Sequence, residues 1–118
     1  MIRGRIWRPG RVVAGLMLAG LVLAGPALAA PEFQLATYQC SRGGSVPVTY
    51  VQGAEGGLAV LVLEGRQIVL LAEPAASGAR YGWPSDGASY VWWTKGDAAS
   101  LYWKEGGSET LLETCTAK

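Results

Sequence analysis

Ser77 and Lys95 stand near the two ends of one span, Ala76 to Asp97, which reads ASGARYGWPSDGASYVWWTKGD. A hydroxyl and an amine could form a serine–lysine dyad, but only if desolvation or a neighbouring cation strips the lysine of its proton. Lys95 lies in TKGD, a polar turn beside Asp97, where it keeps its charge. The chain has no histidine, which removes most nucleophile–base pairs. None of the nine acidic residues sits in a context recognisable for glycoside hydrolysis. The glycine-rich stretches SRGGS and KEGGS lack the strand–loop–helix frame that cradles a phosphate. Two cysteines without a histidine do not complete a zinc tetrahedron. These residue types point away from catalysis and from any metal or cofactor. They point toward a hydroxyl and a cation displayed on turns.

The same span holds three tryptophans and two tyrosines. Exposed Trp83, Trp92 or Trp103 could stack on glycan rings, which makes a peptidoglycan-binding module the second reading; aromatics also fill cores. Trp92 and Trp93 are adjacent, so on a strand they face opposite sides, one to the core and one to a surface.

The elements that position these groups begin after an export segment. MIRGRIWRPGR carries four arginines and no acid, Val12 to Gly25 is apolar, and PALA ends in a small-residue pattern. That order describes a secretory signal peptide over residues 1–29, cleaved after Ala29. The 14-residue apolar run is short for a bilayer span, and no cysteine follows it to carry a lipid. The expected product is a periplasmic domain over residues 30–118 with no stable membrane anchor. It keeps six basic and nine acidic residues. A mildly acidic chain is a poor partner for nucleic acid and a better one for a cationic protein. Cys40 and Cys115, an even pair in an exported chain, read as a disulfide.

Short apolar runs alternate with turn residues. Strands are expected at Val46–Val51, Leu58–Gly65, Arg66–Ala72, Ser89–Trp93, Ala99–Trp103 and Glu109–Cys115, while EPAASGAR is not a regular strand. Glu64–Gly65 suits a tight hairpin turn, and TKGD and KEGGS mark two more. Six to eight short strands imply an all-β antiparallel sandwich or small barrel. Leu61, Leu63, Ile68, Leu70, Tyr90, Trp92, Leu101 and Leu112 are the expected core.

Several elements in order resemble the periplasmic and membrane-bound inhibitors of C-type lysozyme: YQC (38–40), VPVTY (46–50), AVLVLEGRQIVL (59–70), AASGARY (75–81), WTKGDAASL (93–101) and ETC (113–115). The resemblance covers nearly all of the chain after the export segment. It implies an eight-stranded antiparallel β-barrel with one disulfide and a C-type lysozyme as protein partner. It also implies that a serine in S-G-x-x-Y and a lysine in W-x-K-G enter the partner's active cleft. Those residues are Ser77 and Lys95 here. Gly78, Arg80, Tyr81 and Gly96 complete the expected contact set, with Arg80 at its rim. The missing lipid-bearing cysteine implies the soluble periplasmic branch. GWPSDGASYVW, after Tyr81, is a few residues longer than the family spacing. It lies in sequence between Ser77 and Lys95, and either lengthens the contact region or bulges away from it.

Overall fold

The computed structural model describes residues 30–54 and 56–118; the expected export segment lies outside them. Eight strands follow in order: β1 (Glu32–Cys40), β2 (Ser45–Gly53), β3 (Gly56–Leu63), β4 (Arg66–Glu73), β5 (Ala79–Gly82), β6 (Ser89–Lys95), β7 (Ala98–Glu105) and β8 (Ser108–Ala117). Each pairs antiparallel with the next, and β8 returns to β1, closing a barrel. All six strands expected from the sequence are present. β1 and β5 are additions to that reading: EPAASGAR is irregular only in its middle, since Glu73 ends β4 and Ala79–Arg80 begin β5.

Period-two patterning builds the interior. Along β3, Ala59, Leu61 and Leu63 point inward and are buried; Val46 and Val48 on β2 and Leu70 on β4 join them. Trp92 is fully buried and meets Tyr38 edge-on at 5.0 Å between ring centroids. Leu101 and Trp92 are cross-strand partners, both inside. Ile68, Tyr90 and Leu112 are half-buried against this cluster.

Turn chemistry sets the registers. Leu63 pairs with Arg66 across Glu64–Gly65. Both turn residues have positive φ, 52° and 77°, as the primed hairpin turn requires, because its twist matches the strands. Between β7 and β8 the register slips at Leu101/Tyr102: Leu101 pairs with Glu113 and Tyr102 with Leu111, so Leu112 is the extra residue. Such a bulge sharpens local twist.

The seam closes where Tyr38, Gln39 and Cys40 pair with Ala117, Thr116 and Cys115. Cys40 and Cys115 are directly opposed and bonded, with α-carbons 4.0 Å apart and a sequence separation of 75. The disulfide joins the first strand to the last and fixes closure covalently.

Because the chain runs up and down, its connections sort to two ends. Residues 74–78 and 96–97, with Ala54, cap one end, where β1 also begins and β8 finishes. Residues 41–44, 64–65, 83–88 and 106–107 cap the other.

Candidate functional site

The first end carries the residues singled out by the sequence. Pro74–Gly78 joins β4 to β5, and Gly96–Asp97 joins β6 to β7. β5 and β6 are neighbours, with Ala79 opposite Thr94, Arg80 opposite Trp93 and Tyr81 opposite Trp92. Ladder pairing thus brings the serine loop and the lysine turn side by side, although 18 positions separate Ser77 from Lys95.

Gly78 is where they touch. Its φ is +68°, and a Cβ there would lie 2.1 Å from the Thr94 carbonyl oxygen and 2.8 Å from Lys95 Cγ. Only glycine permits both the left-handed backbone and this approach. The neighbouring Trp93 indole Nε1 donates to the Ser77 carbonyl oxygen at 2.8 Å. That bond ties the serine loop to β6. Lys95 Nζ lies 5.1 Å from the Trp93 ring centroid and the Arg80 guanidinium carbon 5.2 Å, within cation–π range. Ser77, Lys95 and Gly96 are exposed. The arrangement displays a hydroxyl and an ammonium group on one edge, held from behind by an indole.

Arg80 and Tyr81 have other surroundings. Arg80 Nε donates to Glu73 Oε1 at 2.7 Å, and its Nη2 donates to Glu109. The Glu109 bond first and the Glu73 bond after it hold the guanidinium above its ordinary pKa, against the effect of burial. Its side chain is 15% exposed, so its charge is already partnered. It braces β5 against β4 and β8. Tyr81 is buried and belongs to the core.

Behind this edge the barrel opens in a recess of 470 Å³, whose wall includes Tyr38, Tyr50, Tyr81, Thr94 and Gly96. The Tyr50 hydroxyl joins Tyr38 Oη at 2.6 Å and accepts from Trp92 Nε1 at 2.9 Å. Burial, chiefly, pushes the Tyr50 phenol far above its ordinary pKa, and burial raises that of Tyr81 as well. Both stay protonated and neutral. The hydroxyl network gives the recess a polar, rigid floor, and the sequence offered no local sign of it.

Trp93, which ties the serine loop to β6, is a residue that sequence reasoning did not place among the contacts. Its parity beside buried Trp92 marked it as outward-facing, but its hydrogen bond to Ser77 depends on pairing between strands. The tryptophans are otherwise dispersed. Trp92 is sealed in the core, and Trp103 is half-buried, edge-on to Tyr90, with Nε1 on Glu105. Trp83 is 45% exposed, in the connection at the opposite end. Among the described residues no row of exposed tryptophans forms a glycan platform.

The longer segment after Tyr81 has a definite location. Trp83–Ala88 joins β5 to β6 at the end away from Ser77 and Lys95. It folds on itself, with the Ser85 amide on Trp83 O at 2.9 Å and the Gly87 amide on Ser85 Oγ at 3.2 Å. Of the two arrangements open from the sequence, the segment adopts the one that bulges away from the Ser77–Lys95 edge.

Comparison with known proteins identifies relatives of this chain. The family described as MliC, membrane-bound lysozyme-inhibitor of c-type lysozyme, matches residues 38–110. A membrane-bound lysozyme inhibitor of C-type lysozyme from Cupriavidus necator is 32% identical over 83 residues, covering 69% of this chain and 63% of that protein. Its counterpart from Pseudomonas aeruginosa is 37% identical over 81 residues, covering 66% of this chain and 60% of that protein. The match therefore spans somewhat under two thirds of each relative's length. The crystal structure of Pseudomonas aeruginosa MliC in complex with hen egg white lysozyme superposes with a TM-score of 0.61 at 29% identity. It covers 79% of this chain and 89% of that one.

Proposed function

The chain belongs to the family of membrane-bound lysozyme inhibitors of C-type lysozyme, and we propose that it inhibits a C-type lysozyme by setting its Ser77–Lys95 edge into the enzyme's active-site cleft. The observation that carries this reading is the junction at Gly78, where the serine loop and the lysine turn meet and Trp93 holds them together. The protein acts by occlusion and performs no chemistry of its own.

The enzyme's needs explain why these groups suit the task. A retaining glycosidase works with two carboxyl groups about 5 Å apart, one held protonated and one ionised. The Lys95 ammonium group offers three N–H donors and a positive charge to the ionised carboxylate. The Ser77 hydroxyl both donates and accepts, so it suits the protonated partner as well. Charge-assisted hydrogen bonds formed away from water are the strong ones. The Trp93 contact and the glycine-restricted loop fix the edge beforehand, which lowers the entropy lost on binding. Gly96, at the lysine turn, lets backbone approach the cleft closely. The excess of acidic over basic residues after Ala29 speeds encounter with a cationic enzyme at low salt.

Export followed by cleavage after Ala29 places the protein in the periplasm, between an invading lysozyme and the peptidoglycan it cuts. Purified protein is expected to slow clearing of cell-wall suspensions by hen egg white lysozyme, with full suppression near equimolar amounts. Undiminished clearing under a large molar excess of the protein would overturn the reading.

A further inference from the structure

Strand β1 has one edge covered along its length and one edge that is not. Toward β2 it pairs from Glu32 to Gln39; toward β8 it pairs only from Tyr38 to Cys40. Among the described residues, no strand lies against the β8-side edge of 32–36. The Lys118 amide donates to the Thr37 carbonyl at 3.0 Å, and the Ser41 amide to Thr114 O at 2.8 Å, both across the β8 side. Backbone groups alternate in direction along an antiparallel strand. Odd-numbered residues of β1 therefore turn both N–H and C=O toward this edge, and among the described residues no strand receives those of Phe33 and Leu35.

The side chains of the same two residues are the most exposed of the large hydrophobics, at 69% and 77%. Natural edges are blunted by lysine, proline or a bulge. EFQLA, residues 32–36, contains none of these and has one charge, at its start. The apolar surface continues sideways, since Phe33, Val51, Leu58 and Leu71 are successive cross-strand partners on the outward face.

We infer that this edge pairs with the same edge of a second copy, by antiparallel strand addition about a two-fold axis at Gln34. Backbone parity selects the register. Phe33 opposite Leu35 of the second copy lets each exchange both its backbone hydrogen bonds with the other, and symmetry repeats the pair. Glu32 then faces Ala36, so no like charges are opposed. Sliding one way brings Pro31, which has no N–H, into the ladder. Sliding the other way needs the Thr37 carbonyl, which Lys118 already occupies. The contact uses the same patch on both partners, so it closes as a dimer and does not propagate.

The axis supplies a specific test. Gln34 would face its own copy in a non-hydrogen-bonded pair, with α-carbons about 4.5 Å apart, within disulfide reach. Cys40, of the same parity on the same edge, is already bridged at 4.0 Å. Protein purified from cells expressing the full chain is compared by sedimentation equilibrium from micromolar to millimolar concentration. A reversible dimer is expected, with a dissociation constant raised at least about tenfold by Leu35→Lys, which opposes cations to an apolar contact. Circular dichroism checks that this exposed substitution leaves the barrel intact. Mild oxidation of the Gln34→Cys variant is expected to give a reducible covalent dimer, and that of Glu32→Cys is not. A wild-type monomer at every concentration overturns the inference, as does a dimer that Leu35→Lys leaves unchanged.

Discussion

The β5–β6 strand pair ends differently at its two extremities. At one, a Cβ on Gly78 would collide with backbone, an indole clasps the Ser77 carbonyl, and a lysine lies near the same indole. At the other, Trp83–Ala88 makes its own turn and meets the barrel through Lys104 Nζ, which donates to Trp83 O at 3.3 Å. The first end is tightly specified and the second is permissive. Added chain length at the second would be tolerated, because lengthening a surface loop costs little closure entropy. Two segments that flank one stretch of sequence can thus serve opposite requirements.

That contrast presupposes a closed barrel, so the largest effect is expected from opening the seam. Replacing Cys40 and Cys115 by serine removes the constraint on a long loop and is expected to cost about 4 kcal/mol of stability. Urea unfolding of the double variant should show the loss as a lower midpoint. A variant that unfolds at the wild-type midpoint would mean that the β1–β8 pairing and the core hold the seam alone. Inhibition should decline only as far as the folded fraction does.

Next in size is a change confined to the specified end. Lys95→Ala is expected to weaken lysozyme inhibition on the order of a hundredfold, about 3 kcal/mol, because a carboxylate of the enzyme is left buried without its cation. The unfolding midpoint should hardly move, since the lysine is exposed. A large loss of stability with little loss of inhibition would reverse the assignment of the two ends.

What the sequence disclosed follows from where apolar periodicity is clean. Leu61, Leu70, Trp92 and Leu101 were legible because alternation marks the inward parity, and Glu64–Gly65 because turn chemistry is local. β1 was not legible because its pattern changes phase. Phe33 and Leu35 are apolar on the outward parity, whereas Ala36, Tyr38 and Cys40 take over on the inward one. β5 is short and polar in part, and pairing on both sides makes it a strand. Ser77 and Lys95 were carried by motif resemblance, and the structure places them on one edge. The Trp93 contact and the partnered state of Arg80 depend on long-range pairing that no local pattern encodes. Neither did linear order reveal that Trp83–Ala88, lying between Ser77 and Lys95, folds at the far end of the barrel.

The smallest expected effect sharpens the contrast most. Removing residues 84–87 and joining Trp83 to Ala88 through Asn-Gly leaves a four-residue connection, Asn-Gly-Ala88-Ser89, between Trp83 and Tyr90 in the register of the Tyr81–Trp92 pair, and shortens the permissive end alone. Such a connection suits a β-hairpin, and the lost contacts are solvent-exposed, so stability should change by only about 0.5 kcal/mol. The Ser77–Lys95 edge is set by the Ala79–Thr94 and Arg80–Trp93 pairs, which lie at the opposite end of these strands. Lysozyme inhibition by the shortened protein should therefore match the wild type within error. A marked loss of inhibition with an unchanged unfolding midpoint would mean that lysozyme also touches the far end, making the lengthened loop part of the recognition surface.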